Sequence, residues 1–321
     1  MNRRDFGKLA VAASASSAFA AKPRSNFGGV QIGVITYSFR ALPGSAEETL
    51  KYITECGLSG IEMMSNVAES YAGAPLPPMP RFGPGGPGGP KGKGGGRPQM
   101  TPEQREAMRK AAEEMKTWRL AASMDKYKAL RRMYEDAGVK IYAFKLPPTM
   151  AMSDAEYEYI WNVGETLGAN HLTMELPEDD ALLKRVAEYA AKRKLRIAFH
   201  THGQGGSSGF DRALGASAYT ALNLDVGHYF GVNGQSPVPV IEKYHDRISS
   251  LHLKDRKGPG NGGGNMPWGQ GETPLKEILQ TLKKKKFKFP ASIEYEYETP
   301  QGSDVVSEVK KCVAFCRSAL G

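Results

Sequence analysis

The residues that could do chemistry in this sequence sit where apolar runs end. "LNLDVGH" (222–228) runs into Asp225 and His228, and "ISSLHLKD" (248–255) carries His252 and Lys254. "ASIEYEY" (291–297) sets Glu294 and Glu296 among apolar and aromatic neighbours. "LRIAFHTH" (195–202) closes on His200 and His202, and "HLTMEL" (171–176) reaches Glu175. Side chains alternate faces along a strand. Asp225 therefore shares a face with Asn223, His252 with Ser250 and Lys254, Glu294 with Ser292 and Glu296, His200 with His202, and Glu175 with Thr173. The opposite faces are apolar or aromatic and suit packing against helices, so the polar faces must turn inward. Ionisable groups turned inward are costly unless paired or bound to a metal ion. Carboxylates and imidazoles delivered together suit a divalent ion such as Mn2+, Co2+, Zn2+ or Fe2+.

The elements that must position these groups recur along the chain. Eight β-rich runs, at 30–39, 58–64, 139–146, 170–176, 195–200, 221–228, 248–255 and 290–297, are separated mostly by helical patterns. Repeated strand–helix units predict an α/β fold with parallel strands, and eight of them predict a single (β/α)8 barrel over 28–321 rather than an open sheet. After the second strand the barrel is interrupted by a Pro/Gly-rich insertion at 72–100, whose core "APLPPMPRFGPGGPGGPKGKGGGRP" has no core-forming pattern and is expected to be a disordered or extended loop. A long helix is predicted to follow it, with Thr101 as cap and Pro102 at the first helical position. A second glycine-rich loop, "KGPGNGGGNMPWGQGETP", follows the seventh strand. Both loops follow strands, which predicts them on the C-terminal face, where barrel enzymes build their sites.

Composition excludes several other classes. With 40% apolar and 24% charged residues in 321, the chain is expected to be soluble with a sizeable core. Three cysteines do not describe a disulfide scaffold, and Cys312 and Cys316, one turn apart, read as a packed helix face. The net charge of +9 resides partly in "KGKGGGR" and "LKKKKFK"; these are expected to be solvated, and no nucleic-acid partner is predicted. Neither a G-x-G-x-x-G turn between strand and helix nor a phosphate loop is present. The N-terminus, "MNRRDFGKLAVAASASSAFAAKP", has paired arginines, a short alanine-rich apolar stretch and Ala18-Phe19-Ala20 before Ala21. That layout predicts a twin-arginine-type signal peptide over 1–21, export to the periplasm and no stable membrane insertion.

"LNLDVGH", "SSLHLKD" and "ASIEYE", in this order on the last three strands, resemble the xylose isomerase-like sugar phosphate isomerase/epimerase family. That family includes ketose 3-epimerases, inosose dehydratases and apurinic endonucleases. The resemblance covers roughly residues 30–320 and takes in the "GLSGIE" and "AGVKIYAFK" contexts. It implies a TIM barrel with one divalent metal ion held by Asp225, His252 and Glu294. It also implies that His228 lines the substrate pocket, with Gly227 letting the chain turn there. Epimerases of the family supply a fourth ligand as a glutamate on strand five, where this chain has "IAFHTHG". The resemblance implies Glu175 in that place ahead of His200, and the departure puts the two-glutamate epimerase mechanism in doubt.

The implied chemistry is polarisation of a sugar carbonyl and hydroxyl by the ion, with a protein group moving a proton beside the carbonyl through an enediolate. Candidate shuttles are Glu294, His200, His202 and Lys145, the last as a desolvated lysine with a lowered pKa. Lys254 and Arg256 could hold substrate oxygens, and Trp268 could stack on a sugar face or anchor its own loop. Export favours a free sugar, cyclitol or glycoside over a sugar phosphate. The same site could instead expel an aglycone from a 3-keto-glycoside by β-elimination, or the barrel could bind sugar without turnover. A phosphodiesterase reading needs three metal ions, and six histidines, of which His171 and His245 fall outside the mouth, are too few to hold them. Whether the chain forms a homo-oligomer is left open by its sequence.

Overall fold

The structure, a computed structural model, describes residues 22–75, 101–202 and 206–321. The signal peptide expected over 1–21 and most of the 72–100 insertion, residues 76–100, lie outside the described residues.

Eight parallel strands alternate with helices and close on themselves. A two-residue strand, β1 (Asn26–Phe27), pairs antiparallel with β2 (Val30–Ile35). Then come α1 (Ala46–Glu55), β3 (Gly60–Met64), α2 (Ser65–Ala72), α3 (Pro102–Ala121), α4 (Met124–Asp136), β4 (Lys140–Lys145) and α5 (Asp154–Leu167). They are followed by β5 (His171–Glu175), α6 (Asp180–Arg193), β6 (Arg196–His200), α7 (Ser207–Gly215) and β7 (Thr220–Asp225). The chain ends with α8 (Val226–Asn233), α9 (Val238–Tyr244), β8 (Ile248–Leu253), α10 (Leu275–Lys285), β9 (Ala291–Ile293) and α11 (Val305–Leu320). β2 pairs with β9 as well as β3, through Ile32↔Ala291 and Val34↔Ile293, so the single (β/α)8 barrel is closed. No helix among the described residues is long and apolar enough to cross a membrane.

The helices start where capping chemistry puts them. Ser45, Thr101 and Ser153 each accept a hydrogen bond from the backbone three residues on, and Glu48, Gln104 and Glu156 reach back to the cap. Helix-facing strand residues such as Ile61, Met63, Leu172, Phe199, Leu224, Leu251 and Ile293 are buried in one continuous apolar layer under the helices. Cys312 and Cys316 are free and buried in α11, as a packed face requires.

Three local expectations are corrected. The first strand ends at Ile35, and Thr36–Phe39 is a 3-10 turn. The strand read through to His228 stops at Asp225, whose side chain caps α8. The Pro/Gly-rich segment does not leave the second barrel strand directly, because α2 stands between them. α3 is held to α2 by a bidentate pair between Arg119 and the buried Glu69, at 2.7 and 3.1 Å.

Candidate metal centre

The barrel interior is polar along its depth. Near its N-terminal end Tyr142 Oη bonds Ser292 Oγ, and His171 Nε2 lies 2.9 Å from Ser250 Oγ. Two residues further along the same strands stand Thr173 and His252, joined by Asn223 and by Glu62 of β3. Two residues beyond those come Glu175, Asp225 and Lys254, while β9 delivers Glu294 and then Glu296. Strand register places Glu175 opposite His200 and Asp225 opposite His252. The Glu294 N–H donates to the Leu253 carbonyl at 3.1 Å, which extends the β8–β9 pairing to Glu294 itself.

His200, Asp225, His252 and Glu294 each offer a ligand atom within 4.8 Å of the others, and all four are buried. Asp225 uses Oδ1 to accept from the His228 N–H at 2.6 Å, which leaves Oδ2 for the centre. Oδ2 lies 3.9 Å from His200 Nε2, too far for a hydrogen bond, and His200 Nδ1 has no hydrogen-bond partner. Lys254 Nζ stands 3.1 Å from Asp225 Oδ2 without hydrogen-bond alignment, 3.0 Å from Glu294 Oε2 and 2.6 Å from Glu296 Oε2. His252 is flanked by carboxylates on both nitrogens, Nδ1 at 2.8 Å from Glu294 and Nε2 at 2.7 Å from Glu62.

These contacts set the charges. Burial disfavours the His252 imidazolium, but Glu62 and Glu294 outweigh it and push the ring up to about 10. Burial would raise Glu62, yet His252, Lys145 and Thr173 bring it down to about 2. Burial likewise opposes ionisation of Glu294, and Lys254 and His252 hold it well below the usual carboxylate range. For Asp225, burial prevails over Lys254 and the carboxyl is raised. Burial holds His200 neutral. His228 is neutral for the same reason and because Lys254 Nζ (3.0 Å) and Arg256 Nη1 face its two nitrogens.

A divalent cation fits this donor set. Its fit rests on a buried Asp225 carboxylate oxygen without a hydrogen-bond partner, converging with the imidazoles of His200 and His252 and the carboxylate of Glu294. Charge agrees. The carboxylates of Glu62, Glu175, Asp225, Glu294 and Glu296 outnumber by one the cations Lys145, Lys254, Arg256 and protonated His252. A divalent ion that displaced the His252 proton would balance them.

The other residues singled out in the sequence are distributed around this group. Glu175 stands outside the group of four and receives Lys145 Nζ at 3.0 Å on Oε1, with His202 Nδ1 3.3 Å from Oε2. The lowered pKa expected for Lys145 is reversed: burial acts downward, but Glu175, Glu62 and Glu294 raise it overall. Lys254 is not a mouth residue open to substrate, because it is buried among carboxylates. Arg256 is tied to the Gly263 carbonyl and to His228. Trp268 sets its ring edge-to-face with Phe315 of α11, 5.6 Å away, and so anchors its own loop. Gly227 does not provide a left-handed turn. A Cβ there would lie 2.5 Å from the Lys254 carbonyl oxygen, so glycine lets α8 approach the end of β8.

Glu62 was missed. The signal available was parity: within "GIEMM" it alternates with Ile61 and Met63, which face the helices.

Residues 181–316 match the family model described as xylose isomerase-like TIM barrel, a stretch that contains His200, Asp225, His252 and Glu294. No curated protein sequence matches the chain. Among solved structures it is similar to the probable 3-DHS dehydratase AsbF from Bacillus anthracis, at 14% identity over 88% of this chain and 97% of that one, TM-score 0.59. It is similar also to a sugar phosphate isomerase/epimerase from Parabacteroides distasonis, at 17% identity over 94% and 97%, TM-score 0.57. To the 3-keto-D-glucoside 4-epimerase YcjR from E. coli the identity is 10% over 90% and 99%, TM-score 0.56. The fold is the xylose isomerase-like TIM barrel, shared with sugar isomerases, epimerases and dehydratases, as the motifs of the last three strands implied.

Proposed function

We propose that the protein is a divalent-metal-dependent enzyme that moves a proton at a carbon beside a carbonyl in a free sugar or sugar derivative. The observation that carries this is the convergence of His200, Asp225, His252 and Glu294 at the barrel's C-terminal end. We assign these four as the ligands, with His200 in the place first given to Glu175. An ion bound there would act as a Lewis acid on the substrate's carbonyl oxygen.

The protein groups divide the remaining work. Glu175 and His202 are partly exposed and 3.3 Å apart, and we assign them the proton transfer, since the buried Glu294 is closed off by His252 and Lys254. Lys145, kept charged and bonded to Glu175, orients that carboxylate and steadies negative charge that develops on the substrate. His228 borders the same mouth as a neutral imidazole, its ring 4.5 Å from that of His202. Loss of a C–H proton beside a carbonyl can begin an isomerisation, an epimerisation or a β-elimination. The fold-level similarity to an epimerase of a 3-keto-glucoside supports including 3-keto-glycosides among the substrates. The twin-arginine-like N-terminus supports an exported enzyme acting on free sugars or glycosides.

The test is proton exchange. Metal-supplemented protein is incubated with a panel of free sugars and 3-keto-glycosides in D2O and followed by NMR. Deuterium should enter at the carbon beside the carbonyl, or an aglycone should be released, and both should be lost in Asp225→Ala and strongly reduced in Glu175→Gln. A barrel that binds these sugars without exchange or release would be a binding protein.

A further inference from the structure

We propose that Glu62 is a positioning residue for the metal centre: it holds His252 with the proton on Nε2 and Nδ1 turned to the ion. The assignment rests on the metal reading above and concerns which nitrogen of His252 serves it.

A neutral imidazole has one N–H and one lone pair, and only the lone pair can ligate. Either nitrogen of His252 could in principle supply it, since each faces a carboxylate. The surroundings of the two nitrogens differ. On the Nδ1 side stands Glu294, which belongs with Asp225 and His200 to the buried group of four. On the Nε2 side stands Glu62, fully buried and closed by two further donors: Thr173 Oγ1 donates to Oε1 at 2.6 Å and Asn223 Nδ2 to Oε2 at 2.9 Å. Among the described residues, the groups that could hold an ion do not include Glu62. The ion's place is therefore at Nδ1, and the Nε2–H points at Glu62.

A carboxylate does this better than a neutral group would. It only accepts hydrogen bonds, so it permits one tautomer, whereas an amide could turn and donate to Nε2. It also makes the imidazole a better ligand by stabilising positive charge on it. Thr173 and Asn223 fix the carboxylate on two further strands, so the Glu62–His252 line spans the barrel from β3 to β8. A buried carboxylate held by three donors in a strand that is otherwise apolar needs such a purpose, because burial of a charge for packing alone is unfavourable.

The experiment uses the whole protein, with Zn2+ alone as probe because it is diamagnetic. In Zn2+-loaded wild type, 15N–1H correlation spectra of the His252 side chain should show the proton on Nε2 and the metal on Nδ1; the reverse arrangement overturns the assignment without any variant. Glu62→Gln should weaken Zn2+ binding about 10- to 100-fold and lose the single-tautomer signature, with partial recovery in Glu62→Asp. Thr173→Val removes a donor to Glu62 but leaves the His252 contact, so its tautomer signature should be unchanged. A Glu62→Gln protein with wild-type Zn2+ affinity and wild-type tautomer overturns the assignment while leaving the metal reading in place. A folded wild type that takes up no Zn2+ overturns the metal reading, and the assignment with it.

Discussion

Lys254 Nζ lies 3.1 Å from Asp225 Oδ2, so an internal ammonium shares a carboxylate with the place assigned to the ion. The same ammonium reaches Glu294 and Glu296, and these three acids raise its pKa although burial alone would lower it. Lys254 thus keeps the carboxylates from repelling one another before an ion arrives. Lys254→Met should lower the stability of the metal-free protein by about 3–5 kcal/mol, as expected when one partner of a buried charge group is removed. Added Mn2+ should restore more stability to this variant than to wild type. Denaturant unfolding with and without Mn2+ measures both.

The N-terminal end of the barrel gives a pH dependence of its own. Burial brings His171 from 6.5 down to about 4, so the folded protein holds it neutral while the unfolded chain protonates it. For this direction of shift the stability is complete above about pH 6.5 and is lost as pH falls toward 4. The full loss is about 3 kcal/mol, with about 2 kcal/mol of it between pH 7 and pH 5. His171→Gln, which can still bond Ser250, should show a smaller stability change over that interval than wild type. Equal slopes in the two proteins would refute the attribution.

Gly227 is placed for closeness rather than flexibility. Gly227→Ala puts a methyl 2.5 Å from the Lys254 carbonyl oxygen and must push α8 off β8. Because Asp225 caps α8 through the His228 N–H, the displacement reaches a residue assigned to the ion directly. We expect a stability loss of about 1–3 kcal/mol together with weaker metal binding. Calorimetric titration of Mn2+ into the folded variant checks the second part.

α3 is tied to α2 by a buried ion pair. Arg119→Met leaves the Glu69 carboxylate buried with only Tyr159 beside it, and should destabilise by about 3 kcal/mol. Adding Glu69→Gln should recover part of that loss. Arg109→Met, whose partner Glu106 is 63% exposed, should leave stability close to that of wild type. Urea unfolding of the four proteins separates the two kinds of pair.

Much of this was legible in the sequence because it depends on local period. Strand parity alone turned Asp225, His252 and Glu294 inward, and the succession of strands and helices sufficed for the barrel. What parity could not supply was the identity of partners across the barrel. Lys145 read as a desolvated lysine because Glu175 lies thirty residues away in sequence, and its proximity reverses the pKa shift. Glu62 was unmarked because its partners Thr173, Asn223 and His252 come from three later strands. Trp268 illustrates the same limit: the sequence left open whether it stacks on a sugar or anchors its own loop, and only Phe315, near the far end of the chain, places it against the loop's support.

The most direct test of the central claim is the metal content of the protein purified without chelator, measured by plasma mass spectrometry beside Asp225→Ala and His252→Ala. About one divalent ion per wild-type chain is expected, as for a single catalytic metal site, and none in either variant. A folded wild type that is metal-free and takes up no added Mn2+, Co2+ or Zn2+ would contradict it.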